Sequence, residues 1–222
     1  MNTKLSKIML AGAVVAFGFS MRVMANSVVL LPGTSEPLVI ATNSPGSTTL
    51  TTETSAFSTA TINGSVMAFV LKDFADNPWA SQGGLTFVYR VYNSPTSVDT
   101  VTGLGIDGWV GYLTDVAYFP NPTNDIFPGF ATRALDASTV TFGWQNPPLG
   151  TGLIRPGFYG DLVLIYSNAT SWDYDTGGVR DGSGATMTII GPAGIPDGGT
   201  TAMLLGFGLL GISLAVRRSK KS

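Results

Sequence analysis

The sequence predicts an all-β fold, an antiparallel β-sandwich carried between two terminal segments of different character. Three observations predict it. Short runs of β-branched and aromatic residues recur along the chain, and turn-forming pairs part them at short intervals. No stretch between Asn26 and Gly194 keeps a 3.6-residue apolar period over about twelve residues. The 222-residue chain holds 28 Gly and 13 Pro, which supplies many tight turns.

The first segment reads as a signal peptide, residues 1–25. Lys4 and Lys7 give a positive start, and Ile8 to Phe19 is apolar and broken only by Gly12 and Gly18. Val23-Met24-Ala25 then supplies small residues at the −3 and −1 positions, which places signal peptidase cleavage after Ala25.

Residues 26–194 follow as one domain, long enough to bury a core without staples. Val28–Leu31 and Leu38–Ile40 are short apolar runs, and the Ser/Thr/Pro/Gly-rich stretch from Thr42 to Ser58 reads as a long surface connection. Ser65–Asp73 sets Val66, Ala68 and Val70 against Met67, Phe69 and Leu71, the pattern of a strand buried on both faces. Leu85–Tyr92 alternates Phe87, Tyr89 and Val91 against Val88, Arg90 and Tyr92. Ser138–Trp144 alternates Val140, Phe142 and Trp144 against Thr139, Thr141 and Gly143. Leu162–Tyr166 is continuously apolar, the mark of a central strand, and Thr186–Ile190 supplies the last one. Val101–Ile106, Trp109–Leu113 and Val116–Phe119 read as further short strands. Asn77-Pro78, Gln82-Gly83-Gly84, Ser94-Pro95, Pro128-Gly129, Pro156-Gly157 and Asp181-Gly182 mark turns.

Composition excludes much chemistry. With no Cys there are no disulfides and no thiol nucleophile, and with no His the Ser-His-Asp and Cys-His arrangements are closed. Between Asn26 and Gly199 lie all 14 carboxylates but only five cations, Lys72, Arg90, Arg133, Arg155 and Arg180, so this part carries 5 − 14 = −9. Such an acidic domain repels nucleic acid and anionic lipid.

Within it, Trp172 to Asp181 resembles a divalent-cation loop: Asp173, Asp175 and Asp181 match positions 1, 3 and 9, and Gly178 position 6. Position 12 is Gly184, which lacks the bidentate carboxylate, so these are weak candidate ligands beside the plainer reading of an acidic turn. Asp107, Asp115, Asp125, Asp136 and Asp161 offer carboxylates for glycoside hydrolysis, yet most stand beside turn residues and none in a recognisable motif. Trp79, Trp109, Trp144 and Trp172 with seven Tyr supply rings that stack on sugars or, more commonly, fill a core. No cofactor is implied.

Residues 195–222 form a tripartite tail. Pro196-Asp197-Gly198-Gly199 is a turn motif, residues 201–216 an apolar helix without charge, and 217–221 a basic stub opened by Arg217 and Arg218. The fifteen residues Ala202–Val216 cover roughly 22 Å as a helix, enough for a thin crossing once the threonines before and the snorkelling arginines after are included. Basic residues stay on the cytoplasmic side, so the tail leaves the preceding domain outside. This order of motif, Leu/Gly-rich helix and Arg-Arg resembles the C-terminal sorting signal of PEP-CTERM proteins, in the variant where Pro-Asp-Gly replaces Pro-Glu-Pro, with Ile195 where Val is usual. The resemblance covers Ile195–Lys221. It implies export in a Gram-negative bacterium that makes exopolysaccharide, and recognition and removal of the tail by an exosortase, a membrane cysteine peptidase.

The expectation is therefore a non-catalytic exported protein. It starts as an inner-membrane-anchored precursor and becomes a cell-surface or extracellular matrix protein. Its partners would be the exosortase-type peptidase, the membrane through the C-terminal helix, and exopolysaccharide, with no nucleic acid. The alternatives are a carbohydrate-binding module, which an exposed planar row of Trp and Tyr would favour, and a carboxylate glycosidase.

Overall fold

The computed structural model describes residues 27–42, 46–120, 126–145 and 152–194. The residues 1–25 with Ala25, the motif Pro196 to Gly199, the helix 201–216, Arg217, Arg218 and Asp125 lie outside the described residues. Among the described residues no helix is long and apolar enough to cross a membrane.

Among the described residues twelve strands form two six-stranded sheets, and every pair of named strands is antiparallel. The first sheet runs in the order β1 (Val28–Val29), β7 (Thr114–Phe119), β10 (Leu162–Ser167), β5 (Thr86–Asn93), β4 (Asn63–Lys72), β3 (Thr48–Ser58). The second runs β12 (Gly184–Pro192), β11 (Trp172–Arg180), β6 (Gly103–Ile106), β9 (Val140–Gly143), β8 (Phe130–Arg133), β2 (Ser35–Pro37). One continuous core joins them. Val66, Phe87, Tyr89, Val116 and Ile165 of the first sheet pack with Leu104, Ile106, Val140, Phe142 and Val179 of the second. That is the expected sandwich.

The chain crosses between sheets repeatedly, and hairpins β3–β4, β8–β9 and β11–β12 supply the local pairings. β10 bonds β5 on one side and β7 on the other, the central place its unbroken apolar run demands. The outer face of the first sheet is also covered. Val88, Ala117, Leu164 and Tyr166 pack beneath Ala41 and Phe74, with Trp79 partly buried against them. In β4 this cover reaches Phe69 and Leu71 but stops short of Met67, which is exposed. The strand is thus buried on both faces over only part of its length.

Three sequence expectations are corrected. Thr48–Ser58, expected within a surface connection, is the eleven-residue edge strand β3. Threonine is β-branched and suits a pleated edge, and Phe57 is the one residue of the strand fully sunk into the core. Trp109–Leu113, expected as a strand, is a loop. Gly108 and Gly111 flank Trp109 and Val110 with φ of +91° and +81°, a left-handed backbone that a strand excludes. Trp172–Arg180, read as an acidic turn with only a weak likeness to a cation loop, is the strand β11, paired along its whole length with β12.

Candidate functional site

The cation-loop candidates come first. As part of a strand, Asp173 and Asp175 are held two residues apart, and each accepts the backbone N–H of its own successor, Tyr174 at 2.8 Å and Thr176 at 2.7 Å. Asp175 also lies against Gly108, where a Cβ would come within 2.1 Å of its Oδ2. Asp181 stands beyond the strand in the turn to β12 and accepts from the Thr61 hydroxyl and, at 2.7 Å each, from the Ser183 N–H and hydroxyl. Those hydrogen bonds, Thr61 foremost, hold its carboxyl below the ordinary carboxylate range. No group of three or more acidic, His or Cys residues able to hold a metal occurs among the described residues.

The hydrolytic candidates are likewise dispersed. Asp107 follows β6 and accepts from the Thr139 hydroxyl at 2.5 Å. Asp136 closes the β8–β9 turn, accepting from the Ser138 N–H at 3.0 Å and its hydroxyl at 2.7 Å. Asp115 is buried on β7, where it accepts from the Ser27 hydroxyl at 3.1 Å and burial pushes its carboxyl up. Asp161 is buried at the entry to β10. Each of the hydrogen-bonded acids answers to its own turn or sheet position.

The structure does build a groove, of about 530 Å³, on the outer face of the second sheet. Register explains it. Arg180 stands opposite Gly103, Gly103 opposite Gly143, and Gly143 opposite Phe130, so four neighbouring strands contribute one row with two empty positions at its centre. The next row, Gly178, Gly105, Thr141 and Thr132, is nearly as low. Without side chains in the middle, the sheet surface is a trough. The ring of Phe130 leans over Gly143, where a Cβ would fall 2.2 Å from its Cζ. Thr102, Thr132, Thr141, Gln145 and the exposed Arg180 line the remainder.

Chemically the groove offers an aromatic and backbone floor, hydroxyl and amide donors and acceptors, and one cation at its edge. Among the described residues no carboxylate lines it. The arrangement offers contacts for binding.

Comparison with protein-family models, with curated proteins and with solved structures finds no match for the chain. The site therefore rests on its own geometry.

The aromatic candidates divide. Trp109 and Trp144 are core, with Trp109 edge-on to Phe87 at 5.3 Å between centroids. Trp172 meets Tyr174 edge-on, and Tyr159 stacks on Tyr92 at 4.4 Å with the Arg90 guanidinium 4.4 Å from its centroid. These are two separate pairs and form no planar row among the described residues. Sequence alternation sets Thr141 and Gly143 on one face of their strand without marking a groove. It missed Phe130 and Thr132 because β8 is four residues long and only one of them, Phe130, is a large apolar residue.

Proposed function

We propose that this is a non-catalytic exported protein of the cell surface or extracellular matrix, released from a membrane-anchored precursor when an exosortase-type peptidase removes its tail. One observation carries the reading furthest. Among the described residues every strand of both sheets lies between Val28 and Pro192, so cleavage after Ala25 and again near Pro196–Thr200 falls outside all of them. The fold is already closed at its last described residues, where Ala193 donates its N–H to Ser171 at 3.1 Å and accepts from the Tyr112 hydroxyl. The sorting motif begins three residues later in the sequence.

Intact mass of the protein from the cell envelope and from the medium tests this. A form starting at Asn26 and ending between Asp197 and Thr200 is expected in the medium. Retention of Arg217 to Ser222 in every fraction would sink tail removal and leave a permanently anchored protein.

A second reading, a carbohydrate-binding module, is favoured by the groove. A sugar ring stacks on Phe130 while Thr132, Thr141 and Gln145 meet its hydroxyls and Arg180 meets an acidic substituent. Binding of acidic exopolysaccharide that is lost in Phe130→Ala, with thermal stability near wild type, is the expected result. Unchanged binding would remove the groove from consideration.

A further inference from the structure

Seven large apolar side chains are more than half exposed among the described residues, and four of them gather at one end of the sandwich. They are Leu31 at 56 %, Val110 at 58 %, Leu113 at 54 % and Leu135 at 86 %. Hydrogen bonds place their loops side by side. Arg133 donates to the carbonyls of Leu30, Trp109 and Tyr112 at 3.3, 2.8 and 2.7 Å, and Trp109 donates its N–H to Ser138 at 3.1 Å. The loops 30–34, 109–113 and 134–138 therefore share one surface. Scattered exposed leucines mean little, but a cluster on adjoining loop tips marks a contact surface.

The last described residues lie at the same end. The Tyr112 hydroxyl bonds the Ala193 carbonyl, and Leu113 donates its N–H to Asn168 at 2.8 Å beside the 168–171 turn that holds Ala193. From Gly194 only eight steps lead to Ala202, where the uncharged apolar run begins, a reach of at most roughly 28 Å. An apolar patch beside a short tether into an apolar segment has one natural neighbour.

We propose that Leu31, Val110, Leu113 and Leu135 form a membrane-facing surface that rests in the headgroup region of the bilayer entered by the tail, holding the domain upright until the tail is cut. The proposal rests on the tail being a membrane span. With a net charge of −9 over Asn26–Gly199, the domain is not drawn to anionic lipid, so the contact is apolar and insensitive to salt. Holding the exit end down also keeps the motif at the bilayer surface, where a membrane peptidase works.

The absence of Cys makes the test direct. Val110→Cys, Leu113→Cys, Leu135→Cys and, at the far end beside Thr61, Val98→Cys are labelled singly with an environment-sensitive fluorophore. The full chain is then inserted into phosphatidylcholine vesicles carrying a headgroup quencher. Blue-shifted, quenched emission at 110, 113 and 135 with unshifted emission at 98 is expected, unchanged by salt. Co-flotation with vesicles but no quenching at 110, 113 and 135 overturns the surface and leaves the tail as an anchor. Quenching at all four positions overturns the upright orientation. Failure to float at all removes the anchor and the proposal with it.

Discussion

The guanidinium of Arg133 on β8 donates to the carbonyl oxygen of Tyr112 at 2.7 Å, tying one sheet to the loop that leads into β7 of the other. Trp109 and Leu30 carbonyls and the Thr114 hydroxyl accept from the same group. Burial lowers its pKa, yet three carbonyl oxygens on two segments accept from its terminal nitrogens, while the buried Nε has no partner among the described residues.

Removing that group takes four donated hydrogen bonds from three carbonyls and one hydroxyl at once. Arg133→Ala is expected to cost about 2–4 kcal/mol, since charged hydrogen bonds in a buried setting are lost. Arg133→Lys should recover only part of this, because one ammonium cannot span the fork. Urea midpoints of the three proteins measure it, and a loss below about 0.5 kcal/mol, the size of an ordinary surface change, would show the staple is idle.

Two glycines predict opposite outcomes for the same change. A Cβ on Gly64 would stand 2.0 Å from the Tyr92 carbonyl and 2.8 Å from the Phe57 ring, so backbone must move. Gly64→Ala should destabilise by about 2–3 kcal/mol as overpacking between strands. At Gly143 the obstacle is the Phe130 ring, which can swing outward. Gly143→Ala should stay within about 1 kcal/mol of wild type, as volume changes with room to relax do. It should also fill the groove and weaken any ligand held there. Thermal unfolding of both variants, with ligand binding for the second, decides this.

The contrast between β10 and β11 shows what periodicity can carry. An unbroken apolar run has only one comfortable place in a sandwich, so the centrality of Leu162–Ser167 was legible. Trp172–Arg180 looked like a loop because Asp-x-Asp and Gly-Gly are turn chemistry. In place, Gly177 is required by the sheet itself, since a Cβ there would lie 2.8 Å from Ile189. The edge strand β3 hid for a related reason, its threonines being read as loop polarity. The groove was half legible: alternation put Thr141 and Gly143 on one face. Register across strands, which brings Arg180 and Phe130 into one row, depends on long-range pairing that no local pattern records.

Calcium should leave the domain unchanged. Asp173 and Asp175 are fixed on a strand and Asp181 is engaged by Thr61 and Ser183, so binding would require breaking sheet pairs. Melting in excess calcium and in chelator should give superimposable curves. A calcium-dependent rise in Tm would restore the cation reading.

Asp115 and Asp181 should bend the pH dependence of stability in opposite senses. Burial raises the Asp115 pKa above its ordinary 3.8, so the folded chain binds its proton more tightly than the unfolded chain. Stability from this group is full below 3.8 and is lost as pH rises through the elevated value. Asp115→Asn keeps an acceptor for Ser27 and removes the buried charge, so it should raise the urea midpoint at neutral pH and lose that advantage in acid. Asp181 is held below the ordinary value by Thr61 and Ser183, so its contribution is present above 3.8 and falls away as pH drops through the lowered value. Thr61→Val should weaken that acid-side loss. Being exposed, Asp181 contributes the smaller slope. Urea midpoints followed from acid to neutral pH for wild type and both variants test the pair. An Asp115→Asn protein no more stable than wild type at neutral pH would mean the buried carboxyl is already neutralised by its surroundings.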